Sequence, residues 1–158
     1  IIQSQINVAR LIIPLRRKKL AAYYTKPIGL KLMAHMVSQL VKTHKHPLIL
    51  SDPFLGSGLT LSETTKGLSQ SDISKIWGIE PHPLSALVAY AAITYSLRGE
   101  YQKVEINTGD AFQVVYGESA HLTHYIEPSQ ELIPKADVIL TNPPFTRWEL
   151  LDLSLIHI

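Results

Sequence analysis

The chain of 158 residues contains no cysteine. That excludes disulfide staples, thiolate metal sites and a cysteine nucleophile. It also lacks any apolar run near the roughly 18 residues of a membrane span. The longest candidate, Ala86 to Leu97, is interrupted by Tyr, Thr and Ser. The amino terminus has no short apolar stretch followed by a small-residue cleavage site, so no secretory signal is expected. Acid is missing from the first 50 residues, which carry nine Lys or Arg. Residues 51–158 hold six basic and thirteen acidic residues, a net −7 hidden beneath the overall +2. What is abundant is apolar: 46% hydrophobic against 18% charged residues, enough for a buried core and against wholesale disorder. The expectation is a soluble cytoplasmic protein of one domain.

The densest basic run is Arg16, Arg17, Lys18 and Lys19. It reads either as a solvated face ahead of the first helix or as a polyanion contact. Charge alone does not choose between them. The chain starts at Ile1 rather than Met and stops soon after Asn142 to Phe145. A piece of a longer protein is therefore expected, with a basic arm or helix over residues 1–22 and an uncertain tail over 153–158.

Between those ends, strands and helices alternate. Thr25 precedes Lys26 and Pro27, and is expected to cap a helix running to about Thr43. Ile28, Leu32, Met36 and Leu40 recur at spacing four and suggest its buried face. Leu48 to Leu50 reads as a buried strand, and a helix follows Gly58. Ile76 to Ile79 is a second strand, and Pro83 starts a helix expected to pack Leu84, Leu87, Val88, Ala91 and Ala92. Val104 to Asn107 is a third strand, and a long polar connection over 113–134 leads to a fourth at Val138 to Leu140. This alternation predicts an α/β fold with a parallel sheet and helices on both faces.

Every predicted strand ends in a polar or acidic residue: Asp52, Glu80, Asp110 and Asn142, at intervals of 28, 30 and 32 residues. Ligands of open α/β sheets sit beyond the carboxyl ends of the strands. The first loop, Asp52-Pro53-Phe54-Leu55-Gly56-Ser57-Gly58, is glycine-rich but lacks the Lys-Ser/Thr pair of a triphosphate loop. Leu61 stands where a dinucleotide fingerprint has its third glycine, and Ser57 is not in a Gly-x-Ser-x-Gly elbow. Asp52 would repel a phosphate but suits an ammonium group. Glu80 is placed to accept hydrogen bonds from both hydroxyls of an unphosphorylated ribose. The two together describe S-adenosylmethionine better than a dinucleotide.

Asn142-Pro143-Pro144-Phe145 is the most specific segment. It offers a carboxamide oxygen and carbonyls, with two prolines that bring no N–H. Converging acceptors of this kind can hold both N–H groups of a planar aromatic amine and aim its lone pair at a methyl donor. Phe145 would stack on a base taken out of the double helix.

With these motifs in this order, the sequence resembles the N6-adenine-specific DNA methyltransferases, in the permuted arrangement with a cofactor motif first. Tyr23-Tyr24-Thr25-Lys26-Pro27 looks like that leading motif, Asp52 to Gly58 like the glycine loop, and Asp110-Ala111-Phe112 like the adenine-contacting segment. Asn142 to Phe145 looks like the catalytic tetrapeptide. The resemblance runs from about residue 16 to 150. It implies a Rossmann-like S-adenosylmethionine-dependent methyltransferase sheet, truncated after the fourth strand, in a partial catalytic domain over 23–152.

It further implies that Tyr24 and Thr25 touch the methionine part of the cofactor. Asp52, Phe54, Gly56 and Gly58 would line its loop, and Glu80 would bind its ribose. Asp110 would meet its exocyclic amine and Phe112 pack on its adenine. Asn142, Pro143, Pro144 and Phe145 would hold and stack the target base. DNA is the implied partner of the complete enzyme, with a restriction or specificity subunit left open and neither membrane nor metal expected. The family continues beyond this point, so these residues alone are expected to bind cofactor weakly and to methylate nothing detectably. Lys26 departs from the family, which usually has Thr-Pro directly.

Other acceptors share parts of the pattern. Some RNA guanine methyltransferases resemble the glycine loop and tetrapeptide, protein glutamine methyltransferases share an Asn-Pro-Pro loop, and N4-cytosine methylation is chemically close. A nucleic-acid-binding subunit without chemistry is the rival from another class. His44 and His46, and His121 and His124, lack the spacing of a zinc helix motif, and surface histidines are the better reading.

Overall fold

The computed structural model describes residues 25–111 and 135–143. Helix α1 (Pro27–Thr43) begins where the sequence places it, on a proline whose fixed φ suits the first turn. Its cap differs from the expectation. Lys26 occupies the cap position in extended backbone and makes no side-chain cap. Thr25 instead turns its hydroxyl toward that of Thr60, 3.5 Å away. The chain then forms β1 (Leu48–Asp52), α2 (Leu59–Thr65), β2 (Ile73–Glu80) and α3 (Pro83–Ser96). After β3 (Val104–Thr108) the next described strand is β4 (Val138–Ile139).

The four strands make one sheet in the order β3-β2-β1-β4, and each neighbouring pair is parallel. The predicted parallel α/β sheet is thus present. Strand β2 starts three residues earlier than its apolar run suggested. Lys75 pairs with Ile49 of β1 in the ladder, and its ammonium reaches Glu105 on β3 at 2.5 Å. A polar residue is tolerated there because its side chain ends at the surface.

Side chains alternate across the sheet. Leu48, Leu50, Ile76 and Val104 belong to one core with Val37 of α1, Leu61 of α2 and Ala89 and Ile93 of α3. Ile49, Trp77 and Ile79 belong to a second cluster with Phe54 and Ala111. Among the described residues all three helices therefore cover one face, and helices on both faces are met only in part.

The predicted buried face of α1 is wrong, and that of α3 is right only at Ala92 and in part at Val88. On α1, Leu30 and Val37 are buried and Met33 and Val41 pack against the core. Ile28, Leu32, Met36 and Leu40 point outward, with Ile28 79% exposed. A strict spacing of four rotates by about 40° per step relative to the helix axis, so such a stripe winds away from any one seam. The steps of three and four that join Leu30, Met33, Val37 and Val41 stay on it. On α3, Ser85, Ala86, Ala89, Ala92 and Ile93 are buried, whereas Leu84, Leu87 and Ala91 are exposed and Val88 is half-buried. The reason is close approach to Gly58: a Cβ there would lie 2.8 Å from that of Ala89. Only small side chains fit between α3 and the loop, and the Thr65 and Ser96 hydroxyls meet across the same seam at 2.5 Å.

Candidate functional site

All of the described sequence-predicted site residues except Thr25 lie at or just past the carboxyl ends of the four strands. Asp52 ends β1, Glu80 ends β2, Asp110 follows β3 and Asn142 follows β4. Because β1 lies between β2 and β4, Asp52 sits centrally. Thr25 joins from ahead of α1, through Thr60 in the first turn of α2. Tyr24, Phe112, Pro144 and Phe145 lie outside the described residues.

The glycine loop is laid over β2 by its backbone. The Leu55 amide donates to the Ile79 carbonyl at 3.0 Å, and the Gly58 amide to the Leu55 carbonyl at 2.9 Å. The buried Leu55 side chain fills the space above Gly78, where a Cβ would be 2.9 Å from it. Gly56 and Gly58 both have positive φ, +56° and +72°. Such angles suit glycine because Cβ crowds the backbone there. Their surroundings differ. Gly58 is pressed against Ala89, whereas nothing lies within 4 Å of where a Gly56 Cβ would be. Gly58 serves packing, and Gly56 presents bare backbone to open space.

Asp52 is the most unusual group. It is only 1% exposed. Burial pushes its carboxyl up to about 7, opposed by the Phe54 amide and the Thr141 hydroxyl and reinforced by the Glu80 charge. The Phe54 amide donates to Oδ1 at 3.0 Å. Burial also raises Glu80, whose carboxylate is steadied by the His82 and Gly56 amides. The first donates to Oε1 at 2.9 Å. Glu80 thus ties β2 to the glycine loop. Asp110 is exposed, while Ala111 beside it is buried.

Asn142 and Pro143 are half-buried. Their position is set by β4, which is pinned to β1 from both sides. The Asp137 amide donates to the Ile49 carbonyl at 2.9 Å, and the Ile49 amide to Asp137 Oδ2 at 2.7 Å. The Leu140 amide donates to the Ser51 carbonyl at 2.8 Å. These bonds bring the Asn142 loop alongside Asp52. Sequence reading passed over Thr141, Leu55 and Gly78. Only the glycine inside an apolar strand carried a signal, that of a close approach.

The arrangement offers a buried acid for a cation, a second acid for hydroxyls, open backbone between them and an amide-bearing loop beside them. His44 and His46 lie exposed before β1, at the opposite edge of the sheet. Among the described residues no three His, Asp or Glu side chains gather as metal ligands. No helix among them is long and apolar enough to cross a membrane.

No family profile matches the chain, and no curated protein is similar to it in sequence. Some solved structures are similar to it over part of their length. One is a methyltransferase from Geobacter sulfurreducens, 19% identical, with a TM-score of 0.48 over 73% of this chain and 50% of its own. Another is a SAM-dependent methyltransferase from Thiobacillus denitrificans in complex with S-adenosyl-L-homocysteine, 18% identical, with a TM-score of 0.41 over 63% of this chain and 38% of its own. A third is YjhP from E. coli, 14% identical, with a TM-score of 0.41 over 60% of this chain and 36% of its own. The chain spans half or less of the length of each.

Proposed function

We propose that this chain forms the cofactor-binding part of an S-adenosylmethionine-dependent methyltransferase, and that its acceptor is the N6 amine of adenine in DNA. One observation carries the reading. The glycine loop, Asp52, Glu80, Asp110 and Asn142 come from four adjacent parallel strands and meet along one edge of the sheet.

The residues fit the cofactor. Asp52 is a buried acid for its ammonium, and the open side of Gly56 lets backbone approach it closely. Glu80 retains acceptor capacity for ribose hydroxyls beyond the two amides it already accepts. When bound, the cofactor supplies a methyl group on a positively charged sulfur. The protein's own work is alignment. Asn142 accepts a hydrogen bond from the target amine, draws its lone pair out of conjugation and holds it in line. Holding two reactants in line removes much of the entropic part of the barrier.

The choice of adenine in DNA rests on the likeness of Asn142-Pro143-Pro144-Phe145, and of the segment at Thr25, to the DNA enzymes. RNA and protein are the competing acceptors. The test uses the full-length protein and tritiated cofactor, scoring label on DNA, RNA and protein separately. Label on DNA adenine is expected. Asn142→Ala is expected to lower transfer by about 100-fold or more while leaving cofactor affinity nearly unchanged. Label confined to RNA or protein overturns the acceptor. Equal activity of Asn142→Ala removes Asn142 from the chemistry.

A further inference from the structure

We infer that Leu55 is a positioning residue: its side chain, seated on the bare backbone of Gly78, sets where the glycine loop lies against β2 and so keeps the cofactor site in shape. The inference deepens the methyltransferase reading and rests on it.

The loop from Asp52 to Gly58 straddles the carboxyl end of β2. Phe54 packs against Trp77, Ile79 and Ala111, in the cluster on one face of the sheet. Leu55, the next residue, belongs with Leu50, Leu61 and Ile76 to the core on the other face. The amide that links the two donates to the Ile79 carbonyl at 3.0 Å. Leu55 is buried although it sits in a loop. Side chains alternate along a strand, so position 78 shares the Leu55 face with Ile76 and Glu80. A Cβ at Gly78 would come within 2.9 and 3.0 Å of the two Leu55 methyl carbons and 3.1 Å of the Asp52 carbonyl oxygen. Gly78 is not among the glycines with positive φ. Its missing side chain is therefore a matter of space, and Leu55 takes that space.

Leu55 is thereby held at its amide, its carbonyl and its side chain. The carbonyl accepts from the Gly58 amide at 2.9 Å. Both chain neighbours of Leu55 belong to the cofactor site. The Phe54 amide donates to Asp52 Oδ1 at 3.0 Å, and Gly56 presents open backbone. Glu80 is the next residue after Gly78 on the same face of β2. The depth to which Leu55 sinks onto Gly78 consequently fixes how far Gly56 stands from Glu80, and whether the Phe54 amide reaches Asp52. A methyl added at Gly78 lifts Leu55 and also presses on Asp52 backbone, which cannot give way as a flexible side chain would. A shorter side chain at position 55 leaves the loop without its stop. Either change spoils the spacing of groups that must grip one ligand together, and a site that is no longer preorganised loses affinity beyond any loss of stability.

The test uses the full-length protein, with S-adenosylhomocysteine binding measured by calorimetry and stability by the urea midpoint. Leu55→Val and Ile76→Val each trim one methylene from the same core, and both should lower the midpoint modestly. Leu55→Val is expected to weaken binding about fivefold or more, and Ile76→Val by less than about twofold. Gly78→Ala is expected to weaken it about tenfold or more. In a Leu55→Ala background the same Gly78→Ala change should cost less than about threefold, because the colliding methyls are gone. A packing role alone predicts something else: lower midpoints, with affinity equal in Leu55→Val and Ile76→Val wherever both are folded. That result overturns the inference, as does an equal loss from Gly78→Ala in both backgrounds. If Gly78→Ala does not fold, the pair of valine variants decides. Failure of the unaltered protein to bind removes the methyltransferase reading itself.

Discussion

Two glycines separated by a single residue, Gly56 and Gly58, do unlike work. Gly58→Ala forces a Cβ to 2.8 Å from Ala89 at a positive φ, so both strain and collision follow. It is expected to destabilise the fold by about 2 kcal/mol or more, read as a fall in the denaturant midpoint. Gly56→Ala meets strain alone, because its surroundings are open. It should cost about 1 kcal/mol of stability and disproportionately weaken cofactor binding, since the added methyl occupies the approach to the backbone. Equal stability losses from the two would contradict this division.

Asp52 makes a prediction about pH. Its carboxyl is raised from 3.8 to about 7 in the fold, so between those values the folded chain holds a proton that the unfolded chain has released. Stability without cofactor must therefore fall as pH rises from 4 to 7 and level off above. The contribution is on the order of 4 kcal/mol at most. Asp52→Asn should flatten that slope in urea melts taken across the window. Other carboxylates act in the opposite sense, notably Glu105, which Lys75 holds below its ordinary value. The comparison of variant with parent isolates Asp52.

At the scale of elements, the helices and strands were legible and their faces were not. Pro27 and Pro83 mark two helix starts to the residue, the apolar runs at Leu48 and Ile76 lie within their strands, and the run at Val138 overruns its strand by one residue, Leu140. Helices α1 and α3 carry apolar residues nearly all round, so periodicity could not say which side meets the sheet. On α3 that was decided by a contact between Gly58 and Ala89, which are distant in sequence. The consequence is measurable. Leu32→Glu, on the outward stripe of α1, should change stability by less than about 0.5 kcal/mol. Leu61→Ala, in the fully buried face of α2, should cost about 2 to 5 kcal/mol. A large loss from Leu32→Glu would mean that the stripe is covered.

At the scale of the whole molecule, the gathering of the strand-end residues was more legible than the helix faces. Topology does the gathering. A parallel sheet puts every strand's carboxyl end on one edge, so polar residues spaced by one strand–helix unit meet without any contact being foreseen. Asp52, Glu80, Asp110 and Asn142 illustrate this. The expected cap at Thr25 was a local inference, and a partner on another helix overrode it.

The most direct measurement is an amide NMR titration of the protein with S-adenosylhomocysteine. Shifts confined to Phe54, Gly56, Glu80, Asp110 and Asn142 are predicted. Shifts centred on His44 and His46 at the opposite edge, with those five unmoved, would contradict the account.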